Sequence, residues 1–176
     1  IMAALAVVML VLSLAFLIAL SQLYRGRINA EQERAALQIG RLLHAALETA
    51  MLRRDLPGLQ AILNDVATDP DIRAIRILNP DLEVRFATDP AFLGEHLDAA
   101  ETRSALETRQ PLALPVASGG DAGVRAVEPV ANREPCQQCH GPIAAQPLNG
   151  LLVIDYDGAG LDAEMRRTGL ALALAG

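Results

Sequence analysis

The first twenty residues, Ile1 to Leu20, contain no charged side chain, and Ser13 is their only clearly polar member. At about 1.5 Å of rise per residue, about twenty such residues match the hydrocarbon core of a bilayer. The apolar region of a secretory signal peptide is usually only about 7–15 residues long, and no small-residue cleavage site stands out here. The expectation is therefore a retained transmembrane helix over residues 1–23. The other end repeats the pattern in miniature. After Arg166 and Arg167, residues 169–176 are apolar but too few to span a membrane, and they are expected to begin a second crossing of a longer protein.

Between these ends, residues 24–168 read as one compact domain. Apolar residues at Ala36, Ile39, Leu43, Leu47 and Ala50 have helical spacing, and no Pro interrupts Asn29 to Arg54, so the membrane helix is expected to continue into the domain. Asp55 can cap a short second helix carrying Leu59, Ile62, Leu63 and Val66, ended by Asp69-Pro70. Strands are expected over Ile72–Leu78 and Glu83–Thr88, joined by the Asn79-Pro80-Asp81 turn. An amphipathic helix over Asp98–Arg109 is ended by Pro111. A polar turn over Ser118–Gly123 follows, then strands over Val124–Val130 and Leu151–Tyr156, and an exit helix toward the membrane. The predicted class is α+β: a small antiparallel sheet with helices on one side.

The chemistry is concentrated in Cys136-Gln137-Gln138-Cys139-His140, which holds both cysteines of the chain. Two thiols separated by two residues can bond to the two vinyl groups of one haem, and the adjacent His is delivered to the iron as the proximal ligand. A redox disulfide does not require the His. A structural zinc site needs four ligands, with only His44 and His96 left as further nitrogen donors. A plain disulfide closing so short a loop stabilises little. One covalently attached haem c is the expected cofactor. Pro135, Gly141 and Pro142 around the motif predict a shaped loop.

Three readings of the sixth ligand stand open. Met51 ranks first and His44 second, both on one stripe of the long helix seven residues apart, and an open or water-filled position ranks third. Met ligation raises the reduction potential, whereas His ligation gives a lower one. His96 falls in a loop and Met165 close to the membrane, so both rank lower. Haem propionates need cationic partners, for which Arg133, three residues before Cys136, and Arg125 on the preceding strand are the candidates.

The net charge of −6 and the absence of basic runs argue against a nucleic-acid partner. No nucleophile–base pair or phosphate loop suggests catalysis in this region, which leaves any enzymatic output to a module outside it. Arg25, Arg27, Arg166 and Arg167 flank the apolar runs on their inner sides, and a positive-inside count would leave the middle in the cytoplasm. That rule fails for long domains, and haem c ligation is completed outside the cytoplasm. The domain is expected in the periplasm of a bacterium, anchored in the inner membrane.

The stretch Val127-Glu-Pro-Val-Ala-Asn132-Arg-Glu-Pro135-Cys136-Gln-Gln-Cys139-His140-Gly, with Gly150-Leu-Leu-Val-Ile-Asp155, resembles the haem-bearing periplasmic sensor domains of bacterial transmembrane receptors. The strand-turn-strand Ile75–Val84 followed by Thr88-Asp-Pro90 is similar to their central hairpin. The resemblance covers residues 29 to 168 and implies a PAS-like or Cache-like fold in a histidine kinase, chemotaxis receptor or cyclic-dinucleotide enzyme. It also implies a Met from the N-terminal helix as distal ligand, here Met51, sometimes across a homodimer. Sensing of redox state or a small gas is the expected function. The alternative is a membrane-anchored monohaem cytochrome c serving a respiratory or photosynthetic complex.

Overall fold

The computed structural model describes residues 2–118 and 121–157, without the side chains of residues 2–7, 25, 28–29 and 117–122. The predicted exit helix, the second crossing and Met165 lie outside the described residues.

Helix α1 runs unbroken from Met2 to Leu52. Its domain half buries Ala36, Leu43, Leu47 and Ala50, the recurring apolar face read from the sequence. Its first half is different in kind. Large apolar residues such as Leu10, Phe16, Leu17 and Leu23 are 60–70% exposed and touch no part of the domain. Among the described residues no helix is long and apolar enough to cross a membrane.

Helix α1 ends where Arg54 adopts a left-handed backbone, φ 56°. Asp55 then caps α2 (Leu56–Val66), its Oδ1 accepting from the Gly58 N–H at 2.9 Å. Strands β1 (Ile72–Leu78) and β2 (Val84–Ala87) form the predicted hairpin. Helix α3 (Ala100–Thr108) follows, then β3 (Leu112–Ser118), β4 (Asp121–Ala131) and β5 (Leu148–Asp157). The five strands make one antiparallel sheet in the order β2-β1-β5-β4-β3.

The α+β class agrees with expectation, but two features differ. Strand β3 falls where the sequence suggested only a connection, because Pro115 interrupts its apolar run. Proline is tolerated on an edge strand, and β3 is the edge of this sheet. The helices also cover both faces rather than one. Helices α1 and α2 pack with Leu59, Leu63, Ile75, Ile77, Val130, Leu152 and Ile154 on one face. Ala105 of α3 packs with Leu78, Val127, Leu151 and Val153 on the other. Strands β1, β5 and β4 are thus buried on both sides, which leaves β5 as a near-continuous buried run.

Candidate functional site: a haem-sized cleft beside the Cys-x-x-Cys-His turn

Between β4 and β5 the chain leaves the sheet, folds a compact loop, and returns. Asn132, only 4% exposed, holds this loop shut. Its backbone N–H donates to the Pro147 carbonyl at 3.0 Å, and its Nδ2 donates to the carbonyls of Gly141 (3.0 Å) and Gln146 (2.8 Å). Inside the loop a 3₁₀ turn over Glu134–Cys136 runs into a one-turn helix, α4 (Gln137–His140). The expected irregular loop is therefore a helical turn, closed by Gly141 at φ 78°. Its local consequence is useful. Residues three apart lie on the same side of a helical turn, so Cys136 and Cys139, both free thiols, face the same way.

That side is a cleft of about 510 Å³, within the span of about 300–1,000 Å³ typical of small-molecule and cofactor sites. Cys139 and His140 form one wall with Asn149 and Gly150 of β5. Met51, from the last turn of α1, is on the cleft as well, beside Arg54 and Leu56. The lining is largely apolar, from Leu56, Leu59, Ile77, Phe86 and Val130. A smaller hollow beside it brings in Cys136, Pro135, Gln138 and Glu48, again with Met51, Cys139 and His140. Gly150 makes the arrangement possible: its φ is 151°, and a Cβ there would stand 1.8 Å from the Leu78 carbonyl oxygen.

The residues fit a haem. One thiol, the adjacent imidazole, a thioether and an apolar lining meet at the cleft, with cations on its wall, and the second thiol lines the hollow beside it. Among the described residues no group of three or more His, Cys, Asp or Glu side chains is arranged to hold a bare metal ion.

The sequence candidates sort unevenly on this geometry. Met51 stands on the cleft. His44 does not: it is about 10 Å further along α1, buried against β4, with Nδ1 3.9 Å from Glu128 Oε1. The shared stripe is real, but it carries His44 beneath the sheet and away from the motif. His96 is bridged to the β1–β2 turn, its Nδ1 3.2 Å from the Asp81 carbonyl. Arg133 bonds Glu48 Oε2 at 2.8 Å, at the edge of the smaller hollow.

Arg125 is a correction. The pleat of β4 turns it to the α3 face, where Nε and Nη2 grip Asp155 at 2.6 and 3.0 Å and Nη1 bonds Glu101 at 2.9 Å. Asp155 also binds Arg76 at 2.9 Å, whose guanidinium lies 4.1 Å from the Phe92 ring centroid. The hydrogen bond to Asp155 raises the Arg125 pKa above the ordinary arginine value, against the opposing effect of burial. On the α1 face, burial pushes the Tyr156 phenol up, and its hydroxyl donates to the Ala36 carbonyl at 3.2 Å. The cations on the cleft are instead Arg54 and Arg85. Sequence reading missed both, along with Asn149, since only the strand order brings residues 54, 85 and 149 together.

The fold can be placed among known structures. The crystal structure of the E. coli DcuS sensor domain superposes with a TM-score of 0.58 at 13% identity, over 78% of this chain and 97% of that one. This chain shares the fold of that domain. A domain of a putative sensory box/GGDEF family protein from Vibrio parahaemolyticus matches at a TM-score of 0.52 and 18% identity, over 79% of this chain and 58% of that one. No protein-family model matches the chain, and no curated protein matches it. The likeness to solved structures supports the α+β, PAS/Cache-like architecture that the sequence resemblance implied.

Proposed function

We propose that this chain is the haem c-bearing sensor domain of a bacterial membrane receptor, reporting redox state or a small gaseous ligand. The observation that carries the proposal is the meeting of Cys139, His140 and Met51 on one apolar cleft of about 510 Å³, with Cys136 on the smaller hollow that shares those three residues. Each thiol can add across a vinyl group, forming a C–S bond while its hydrogen passes to the other vinyl carbon, so attachment consumes no oxidant. His140 and Met51, which line the same cleft, would hold the iron through an imidazole nitrogen and a thioether sulfur. Arg54 and Arg85 are the cations on the cleft that could reach the propionates, in place of Arg125; Arg85 pairs with Glu83 and Arg133 with Glu48. Leu56, Leu59, Ile77 and Phe86 exclude water from the porphyrin face. The bound group would supply a reversible one-electron couple and, wherever the Met51 thioether is displaced, a coordination position for a small gas.

The sensor-domain fold supports the signalling half of the reading. The exposed apolar surface of α1 from Val8 to Leu23 supports the membrane half, since soluble chains seldom expose so large a continuous apolar area. We place that segment in the inner membrane and the domain in the periplasm, where haem c is attached. A homodimer would use the apolar residues left exposed further along α1, Ile39 and Leu42.

The experiment is production of the chain together with a haem c maturation system, followed by a pyridine haemochrome spectrum of the denatured protein. A haem that stays covalently bound, and is lost in Cys136→Ala and Cys139→Ala, is the expected result. A colourless wild-type chain would sink the proposal. A second reading, electron transfer, draws on the exposure of Cys139 and His140, which would leave a haem edge near solvent. Carbon monoxide binding by the reduced protein distinguishes the two, because a pure carrier keeps both axial ligands.

A further inference from the structure

A histidine that ligates a metal through one ring nitrogen nearly always donates its other N–H to a fixed acceptor. That acceptor sets the tautomer, holds the ring plane, and makes the imidazole a stronger donor to the metal. If Nε2 of His140 faces the iron, its Nδ1–H needs such a partner, and the acceptors around the motif can be followed one by one. The carbonyls of Gly141, Gln146 and Pro147 already receive Asn132, and the Pro142 carbonyl receives the N–H groups of Ala145 and Gln146. Glu48 is held by Arg133. Glu128 Oε2 is buried and unpartnered, but it sits beside His44 and away from the cleft. Asn132 Oδ1 is likewise unpartnered, yet Asn132 does not line the cleft.

Asn149 is different. It lines the large cleft and the smaller hollow together with His140, and its Oδ1 is buried without a hydrogen-bond partner. A buried amide oxygen without a donor costs on the order of 1–3 kcal/mol, so its retention calls for a nearby donor that a bound cofactor would orient toward it. The position is also a rigid one. Asn149 sits in the β-bulge where the β4–β5 register shifts between Val130 and Ala131, next to Gly150, which is wedged against Leu78. Bulges re-aim side chains, and this one turns Asn149 toward the motif.

We infer that Asn149 is the positioning residue for the proximal ligand: its Oδ1 accepts the Nδ1–H of His140 and thereby lowers the reduction potential of the iron. This rests on the haem c reading proposed above. Asn149 touches neither iron nor porphyrin in this role and acts only through His140.

The test uses the full chain with haem attached, solubilised in detergent, and compares wild type with Asn149→Leu and Asn149→Asp. Potentiometry should show the Asn149→Leu iron easier to reduce, by about tenfold in the ferric/ferrous equilibrium constant, or about 59 mV for one electron. Asn149→Asp, which keeps an acceptor and strengthens it, should shift the potential the opposite way. In ¹⁵N-histidine-labelled protein the His140 Nδ1–H resonance should exchange slowly in wild type and in Asn149→Asp, and be lost to solvent exchange in Asn149→Leu. A haem-loaded Asn149→Leu protein with unchanged potential and a protected Nδ1–H overturns the inference while leaving the haem proposal intact. Should Asn149→Leu fail to load, the wild-type and Asn149→Asp resonances decide the matter, and rapid exchange in both overturns it. A wild-type chain without covalent haem overturns both.

Discussion

Replacing Asp155 by Asn offers a sharp test of how this domain is held together. The carboxylate is 6% exposed and carries two arginines, Arg76 at 11% and Arg125 at 14% exposure. Removing its charge leaves Arg125 with Glu101 alone and Arg76 with the face of Phe92. Breaking a buried ion pair from one side costs about 3–5 kcal/mol, because the partner charge stays buried and uncompensated. For a domain of this size that corresponds to a fall in Tm of about 10–20 °C. Urea unfolding followed by circular dichroism should show a lower midpoint at an unchanged m-value. The fourfold change Asp155→Leu, Arg76→Met, Arg125→Met, Glu101→Met removes the whole charge cluster and should recover most of the loss. An Asp155→Asn protein within about 1 kcal/mol of wild type would refute the reasoning, since it would mean that solvent screens the pair. The pH dependence has a definite sign. A raised Arg125 pKa contributes stability that is fully present below the ordinary arginine range and lost only as pH climbs through the folded-state value, so this arginine adds no slope in the neutral range.

Three further outcomes follow from the cleft and its loop. Met51→Ala should abolish the near-infrared Met–iron charge-transfer band and lower the reduction potential of the haem-loaded chain; a band that persists removes Met51 as distal ligand. Asn132→Ala frees the carbonyls of Gly141 and Gln146, and it should cost about 1–3 kcal/mol and reduce the yield of attached haem, read as absorbance per mole of purified protein. Gly150→Ala would drive a methyl into the Leu78 carbonyl, so it should lower Tm more than a Gly26→Ala control, where nothing lies within 4 Å.

Local chemistry made much of this fold legible. Asp55 followed by Pro57 and Gly58 marked the start of α2, and the Ile-rich run of 72–78 gave β1 with its observed bounds. The Cys136-Gln137-Gln138-Cys139-His140 spacing, on which the haem proposal rests, is read without tertiary information. What failed was anything decided by distance across the fold. Pro115 hid β3, because the sequence does not say which strand is an edge. Arg125 lies only eleven residues before Cys136, yet the alternation of β4 sends it to the opposite face. Arg54, Arg85 and Asn149 are scattered along the chain and become neighbours only because β5 inserts between β1 and β4.

Helix α1 and strand β5 touch common ground at two places: Met51 and Asn149 at the cleft, and Ala36 and Tyr156 at the other end. From Ala36 to Met51 the helix spans about 22 Å, and from Asn149 to Tyr156 the strand spans about 24 Å. The two therefore form the long sides of one frame. Strand β5 is bonded along both edges and cannot slip by one residue without turning Val153 and Ile154 to the wrong faces. Helix α1 is tied to the rest of the domain as well as packed on it: the Tyr156 hydroxyl bonds the Ala36 carbonyl at 3.2 Å, and Arg133 bonds Glu48 at 2.8 Å. The helix is therefore fastened to the domain near both ends of this span, and the cleft residues Met51 and Asn149 are carried on one braced frame.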